Sequence, residues 1–120
     1  AAALANMEIF EKEKTLTKIQ AKIRLLSQAL ESLKEHDHVG EIRQCGMMVG
    51  IELVKDRKTK QPYALVEKKG MQVALSAKKR GMLIRPLGNV VVLMPPISTP
   101  NRILTRMARI IHHSIREAVT

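Results

Sequence analysis

Gly-Met-Leu-Ile-Arg-Pro-Leu-Gly-Asn-Val-Val-Val-Leu-Met-Pro-Pro, residues 81–96, is the stretch that decides the fold, because it predicts a β-hairpin. Two apolar runs, at 82–86 and 90–94, flank the dipeptide Gly88-Asn89. This dipeptide tolerates the positive φ that a two-residue hairpin turn requires. The two runs are therefore expected to pair as antiparallel strands.

The two predicted strands differ in their expected place in the sheet. Pro86 has no N–H to donate to a ladder, so the first run is expected at a sheet edge or a strand end. The second run has no polar alternation, which predicts a strand covered on both faces. Arg85 is the only charged residue between Arg80 and Arg102. A guanidinium that lies among apolar residues requires a partner.

Upstream of the hairpin, an amphipathic helix is predicted over residues 15–35, because apolar residues recur there at spacings of three and four. The stripe consists of Leu16, Ile19, Ile23, Leu26, Leu30 and Leu33. It is shorter than the three or four heptads of a coiled coil, so packing on a sheet is favoured over that alternative. Residues 1–10 also have high helix propensity but no N-cap residue before them, and we expect them to continue a longer protein.

Residues 39–44 and 47–55 change to a period of two and predict two strands joined near Gly46. Val49, Ile51 and Leu53 share one face of the second strand. The polar tract at 55–62 has the composition of an exposed loop. It is also the strongest candidate for a basic patch, but Asp56 interrupts its positive charges and no aromatic residue lies between them.

Two further helices are predicted in the C-terminal half. Residues 67–80 end in three cations, which suit the C-terminus of a helix, and Gly81 can take the left-handed conformation that follows one. Thr99-Pro100 provides an N-cap and a first-turn proline for a closing helix. Its buried stripe is predicted to be Ile103, Met107, Ile110, Ile111 and Ile115.

This order of elements predicts an α+β fold with a small, largely antiparallel four-stranded sheet and helices packed on one face. At 120 residues and 45% apolar composition, the chain is expected to be one domain with its own core. No apolar run approaches the roughly 20 residues of a membrane span, so no membrane partner is predicted. The single cysteine, Cys45, excludes a disulfide framework and favours a reducing, cytoplasmic location.

The net charge of +10 leaves a polyanion partner open. However, one Tyr, one Phe and no Trp offer almost no surface on which single-stranded bases could stack. Nucleic acid is therefore disfavoured as a partner.

A search for catalytic groups finds no nucleophile with an orienting base and no metal cluster. His36 and His38 lack further ligands at a suitable spacing and are expected in a surface turn. His112-His113 point in different directions on a helix and are expected on its polar face. Cys45 has no neighbouring His or acid in the sequence, so a structural or surface thiol is favoured. The seven methionines are expected as core filler.

Arg85 is the remaining candidate. A guanidinium binds a carboxylate through two parallel charge-assisted hydrogen bonds, so an arginine in this setting suits an anionic substrate. The residues by themselves leave two roles open for Arg85, a surface or salt-bridge residue and a substrate anchor.

Four motifs carry a resemblance to a known family. They are Val-Gly-Glu-Ile-Arg at 39–43, Gly-Met-Met-Val-Gly-Ile-Glu-Leu-Val-Lys-Asp at 46–56, Gly-Met-Leu-Ile-Arg-Pro-Leu-Gly at 81–88 and Val-Leu-Met-Pro-Pro at 92–96. Over essentially its whole length, the chain resembles the C-terminal small domain of class III pyridoxal-phosphate aminotransferases, which have fold type I. Within that class, the last two motifs are most similar to the branch that serves biotin synthesis.

The resemblance implies a transaminase in which Arg85 binds the substrate carboxylate and Leu87 lines the same pocket. The family holds pyridoxal phosphate in a large domain, through a lysine, an aspartate, an aromatic residue and a phosphate cup. None of those motifs occurs in this sequence. The chain by itself is therefore expected to bind no cofactor and to be inactive.

By the same resemblance, residues 1–14 form a helix that leads in from the large domain, and residues 15–120 form the aminotransferase C-terminal domain. The expected partners are that large domain, a second copy in a homodimer of the full-length protein, and a small-molecule substrate. The alternative is a stand-alone basic module that binds nucleic acid or an acidic protein.

Overall fold

A computed structural model describes residues 1–119 of the chain and confirms the α+β fold. The helices are α1 (Ala2–Lys12), α2 (Thr15–Leu30), α3 (Lys69–Lys79) and α4 (Asn101–Val119). The strands are β1 (Val39–Cys45), β2 (Met48–Asp56), β3 (Gln61–Pro62), β4 (Arg85–Leu87) and β5 (Val90–Leu93). Short 3-10 turns at Glu31–Glu35 and Leu65–Glu67 precede β1 and α3. Within residues 1–119, no helix combines the length and the apolar character that crossing a membrane requires.

The sheet has the strand order β1-β2-β5-β4, and each neighbouring pair is antiparallel. This path contains the four predicted strands. A fifth strand, β3, pairs with the far end of β2, where Val54 lies opposite Pro62. There is room for it because β2 is nine residues long and continues past Glu52, where its pairing with β5 ends. The tract predicted as an exposed loop therefore turns back onto β2, and both residues of β3 remain exposed.

The β4–β5 hairpin has the turn and the edge position that the sequence predicts. Gly88 has φ +59° and the residue after it does not have a positive φ, the arrangement of a type II′ turn with glycine in first place. β4 ends the strand path, so Pro86 lies on an edge strand. Leu87 pairs with Val90 across the turn, and the alternation of antiparallel ladders makes Pro86 and Val91 a non-hydrogen-bonded pair. Proline therefore removes no hydrogen bond from this ladder.

The helices cover one face of the sheet. The core on that face includes Leu26, Leu30, Leu33, Val49, Ile51, Leu53, Val91, Leu93, Ala108, Ile111 and Ile115. The prediction that β5 is covered on both faces is wrong, because Val90 and Val92 are only half-buried. A continuous apolar run produces two covered faces only where elements pack on both sides, and the described residues place helices on one side.

The helix predicted at 15–35 is present as α2 only to Leu30, since Glu31–Glu35 form a 3-10 turn, and its apolar stripe is fully buried only in the second half. Leu26 and Leu30 are buried, whereas Leu16 is 66% exposed. The first turns of α2 instead flank a cavity of about 430 Å³ that they share with α1 and with residues 97–98. α1 itself buries no residue, and Lys14, with φ 51°, separates it from α2. A domain boundary at residue 14 stays a prediction.

The start of α3 and the start of β4 also differ from their predicted boundaries. Residues 65–67 form a 3-10 turn and Lys68 has φ 49°, so α3 begins at Lys69 rather than at residue 67. In the first apolar run of the hairpin, residues 82–84 are not paired in the sheet, although Met82 is buried. Strand pairing begins only at Arg85, opposite Val92, although β5 continues to Leu93.

α3 and the hairpin approach each other most closely at Gly70. A Cβ on this residue would overlap the carbonyl oxygen of Gly88 and would lie 2.9 Å from the Cβ of Pro86. Only a hydrogen atom fits there, so the first turn of α3 fixes both the hairpin turn and the middle of β4. At the other end of α3, Gly81 has φ +83°, as its predicted position after the helix requires.

We expect Gly70→Ala to destabilise the fold by about 1–3 kcal/mol, the usual cost of overpacking a tight site. A loss of stability would be informative, because Gly→Ala inside a helix otherwise stabilises a protein by up to about 1 kcal/mol. Gly50→Ala is the matched control, since a Cβ there would meet only Val90, at an ordinary 3.5 Å. Urea unfolding of both variants measures the difference. An unchanged or higher midpoint for Gly70→Ala would contradict the close approach.

Candidate functional site

The two predicted site residues lie on the face of the sheet that carries no helix. Side chains alternate along β4, so Arg85 and Leu87 point to one face and Pro86 points to the other, toward α3. Arg85 is exposed, and within residues 1–119 its guanidinium has no hydrogen bond or ion pair. Leu87 is 67% exposed. The guanidinium and an apolar side chain are thus both available to a ligand from the same direction.

Strand register places Arg85 at the end of a row that crosses the whole sheet. Arg85 lies opposite Val92, Val92 opposite Gly50, and Gly50 opposite Arg43. Directly paired residues share a face, so the two arginines lie on the same open side with only small or apolar groups between them. We define this side, opposite the helices, as the open face.

Arg43 differs from Arg85 because it already has anionic partners. Its Nη1 lies 2.8 Å from Oε2 of Glu41 and 3.6 Å from Oε2 of Glu52. Glu52 occupies the row that ends at Leu87. Exposed pairs of this kind contribute little to stability, but they place two carboxylates beside the guanidinium of Arg43, and these offset its charge. Arg85 has no such carboxylate among residues 1–119, so it is the better candidate for binding a substrate anion.

A shallow cavity of about 300 Å³ lies on the open face. Its lining includes Arg43, Cys45, Met48, Gly50, Leu87 and Val92. Arg85 borders it as the cross-strand neighbour of Val92. The arrangement offers an apolar floor with a free cation at one side, which suits an organic anion with an aliphatic part.

The sequence predicted Arg85 and Leu87 as site residues but not the rest of this surface. Arg43, Met48 and Gly50 join them only through the pairing of β2 with β5, and no local pattern reveals that register. A partial signal was present in β1, where the alternation of Glu41 and Arg43 with Ile42 assigns the charges to one face.

His36 and His38 lie in a turn before β1, as predicted, and their ring nitrogens take part in the turn itself. The backbone N–H of His38 donates to Nδ1 of His36 at 3.2 Å. Nδ1 of His38 lies 2.8 Å from the hydroxyl of the buried Tyr63 and 3.2 Å from the carbonyl oxygen of Val54. Among the described residues, no group of three or more His, Cys, Asp or Glu side chains could hold a metal ion.

The remaining residues considered in the sequence are the histidines of α4, Cys45 and the methionines. Nε2 of His112 lies 3.3 Å from the carbonyl oxygen of Ala29 at the end of α2, so His112 joins α4 to α2, whereas His113 is exposed. Cys45 is an exposed thiol, one of the two predicted settings, and it lies on the open face. The prediction that methionines fill the core is wrong for Met7, Met48, Met71 and Met94, which are exposed. An unbranched apolar side chain suits either setting, so sequence does not distinguish them.

The residues of this chain do not fit pyridoxal phosphate. A site for this cofactor combines a lysine amine with a charged partner for the pyridine nitrogen. The two aspartates of the chain, Asp37 and Asp56, line a loop cavity that has no aromatic ring. Phe10 lines the cavity between α1 and α2 without an aspartate, and the ring of Tyr63 is buried. Within residues 1–119, Phe10 and the aspartates thus line separate cavities, and neither cavity combines the groups that the cofactor needs.

Comparison with known proteins shows the same family throughout. The family model "Aminotransferase class-III" matches residues 1–115. The adenosylmethionine-8-amino-7-oxononanoate aminotransferase of Methanocaldococcus jannaschii is 46% identical over 117 residues, which are 98% of this chain and 25% of that protein. The protein of the same name from Aquifex aeolicus is 50% identical over 95 residues, 79% of this chain and 21% of its own length.

Solved structures agree with the sequence matches. The crystal structure of the Methanocaldococcus jannaschii protein superposes with a TM-score of 0.93 and covers 97% of this chain and 26% of that one. The omega transaminase from Pseudomonas jessenii in complex with PMP superposes with a TM-score of 0.89 at 30% identity, again over 97% and 26% of the two chains. The chain therefore spans about a quarter of the length of the relatives that it matches.

The turn at His36 predicts a pH dependence of stability. Burial lowers the pKa of His36 below its usual value, the charge of His38 lowers it further, and Asp37 partly opposes both. Smaller effects of Arg116 and His112 also lower it. Because the folded state disfavours protonated His36, the contribution of neutral His36 to folding stability is complete above about pH 6.5. The contribution is lost as the pH falls through the lower folded pKa.

We expect His36→Asn to reduce the loss of stability between about pH 7 and pH 5, because the amide oxygen of Asn can accept the same i+2 backbone N–H without titrating. His113→Asn is the control, since that side chain is exposed on α4. Thermal unfolding midpoints across this pH range measure the effect. If His36→Asn and the parent lose stability equally on acidification, His36 is not the source of this pH dependence.

Proposed function

The chain belongs to the class-III aminotransferase family, and we propose that it serves there as the C-terminal domain of a pyridoxal-phosphate-dependent aminotransferase. In this proposal the whole protein transfers an amino group from S-adenosylmethionine to 8-amino-7-oxononanoate, a step of biotin synthesis. The reaction follows the names of relatives that are 46% and 50% identical to the chain. The large domain supplies the cofactor and its lysine, and the chain without that domain is proposed to be inactive.

The observation that carries the chain's own part is the free guanidinium of Arg85 on the open face. An arginine fork forms two parallel hydrogen bonds with a carboxylate, which fix orientation as well as charge. We propose that Arg85 binds the carboxylate of the oxo-acid substrate and thereby orients its ketone toward the cofactor. Leu87, on the same face, would contact the aliphatic chain of that substrate and exclude water from the pair.

Exposed apolar residues support a large-domain partner. On α1, Leu4 and Met7 lie one turn apart on the same face and are 66% and 62% exposed, and Ile9, on another face of the helix, is 50% exposed. Exposed apolar side chains on a helix that buries no residue suit a surface that another domain covers. A homodimer of the full-length enzyme and a cytoplasmic location stay predictions from the family resemblance. The alternative of a stand-alone basic module finds no support in the relatives described above, all of which are named as aminotransferases.

In the full-length enzyme, we expect Arg85→Lys to lower kcat/KM for the oxo acid about 10- to 100-fold, because lysine keeps the charge but loses the two-bond geometry, and hydrogen bonds to charged groups contribute about 1.5–3 kcal/mol. Arg85→Ala should lower kcat/KM further, because alanine removes the charge as well. Both variants should keep the circular dichroism and cofactor absorbance of the parent, because the exposed side chain supports no core contact.

Arg102→Lys is the matched control, an exposed arginine at the start of α4, and it should leave kcat/KM unchanged. Two outcomes would remove the assignment of Arg85. One is a kcat/KM for Arg85→Ala within about a factor of two of the parent, and the other is loss of the folded domain, which would make Arg85 a structural residue.

The chain produced without its large domain should bind no pyridoxal phosphate, because its lysines, aspartates and aromatic rings do not share a cavity that suits the cofactor. After incubation with stoichiometric cofactor and gel filtration, the protein fraction should show no visible absorbance, while the full-length enzyme treated in the same way should retain it. A visible absorbance band of stoichiometric intensity that disappears when a single lysine is substituted would contradict this prediction.

A further inference from the structure

β4 has few hydrogen bonds of its own to hold it in place, and its middle residue, Pro86, packs on Gly70 of α3. It is three residues long, lies at the edge of the sheet, and pairs only with β5. Pro86 occupies its middle position and donates no hydrogen bond. The orientation of Arg85 and Leu87 therefore depends on whatever fixes the hairpin turn that follows them.

One side chain of the turn makes a long-range hydrogen bond. Nδ2 of Asn89 donates to the backbone carbonyl oxygen of Tyr63 at 2.7 Å, and this bond is partly buried. The carbonyl oxygen of Asn89 accepts from the backbone N–H of Leu53 at 2.9 Å, which continues the β2–β5 ladder into the turn. Asn89 is thus connected both to the central strand and to the segment after β3.

Tyr63 is a rigid anchor for this bond. Its side chain is 6% exposed, and its hydroxyl lies 2.8 Å from Nδ1 of His38. The ammonium of Lys69 lies 5.5 Å from the centre of its ring. The carbonyl oxygen that Asn89 contacts is therefore held in one place by interactions that do not involve the hairpin.

We propose that Asn89 is a positioning residue for Arg85. Together with the packing of the turn on Gly70, its side-chain amide ties the hairpin turn to the fixed carbonyl oxygen of Tyr63, and so helps to set where the guanidinium of Arg85 meets the substrate carboxylate. A two-bond contact depends strongly on placement, since small displacements of a binding group cost catalysis. The inference rests on the proposed function, because it concerns the carboxylate contact assigned to Arg85.

Asparagine suits this position for a specific reason. The bond to Tyr63 requires a donor, and aspartate has the same shape but presents only acceptors when ionised. Asn89→Asp therefore removes the donor while keeping the size of the side chain, and it places a negative charge against a carbonyl oxygen. The resulting displacement of the turn should reach Arg85 through the short β4 strand.

The test is a double-mutant cycle in the full-length enzyme, with Asn89→Asp made in the parent and in the Arg85→Ala background. In the parent we expect kcat/KM for the oxo acid to fall about 5- to 20-fold, the effect of losing one hydrogen bond, mainly through a higher KM. In the Arg85→Ala background the same change should have no further effect, because the group that it positions is gone. Asn101→Asp, at an exposed asparagine of α4, is the control and should leave kcat/KM unchanged in both backgrounds.

The outcomes separate this inference from the proposed function. If Arg85→Ala has no effect, the proposed function fails first. If Arg85→Ala is impaired but Asn89→Asp matches the parent, or lowers kcat/KM equally in both backgrounds, the positioning role is overturned. Should Asn89→Asp unfold, Asn89→Ser keeps a residue that tolerates turns but shortens its reach, and the same cycle applies. Unfolding of both variants would make Asn89 a structural residue and would also overturn the proposal.

Discussion

The antiparallel pairing of β2 with β5 is the constraint on which the rest of the structure depends. It sets Val49 opposite Leu93 and Glu52 opposite Val90, and so joins two hairpins that are far apart along the chain. Neither hairpin would be stable alone in water, because a two-stranded unit buries too little apolar surface. Joined, they form a single face on which α2, α3 and α4 pack. The segment between the two hairpins includes α3, whose Gly70 then meets the turn at Gly88.

Coverage of one face gives the same strands two different roles. Ile51 and Val91 enter the core, while their neighbours Glu52 and Val92 face away from the helices. The open face can therefore hold charges and a shallow cavity without disturbing the packing that stabilises the domain. This separation allows Arg85 to keep donors free for a ligand, since a buried arginine would need a partner within the protein.

In the proposed function, the chain and the large domain contribute different parts of one active site. The chain provides an anion-binding arginine on an edge strand, where substrate can approach from the open face. Its aspartates line a cavity to which no aromatic ring of residues 1–119 contributes, so the cofactor chemistry belongs to the large domain in this scheme. The exposed apolar residues of α1 agree with such an arrangement, because they leave a surface for another domain to cover.

The sequence by itself determined the features that depend on local chemistry. Gly88 predicted the turn, Pro86 the edge strand, and the spacing of apolar residues the helices, since each follows from backbone sterics or from periodicity. The position of Arg85 as an isolated charge was also visible in the sequence. Tertiary structure alone decided which strands became neighbours, that β5 has one open face, and that Asn89 bonds to Tyr63. These depend on contacts between residues distant along the chain, whose register is set by the packing of the whole core rather than by any local pattern.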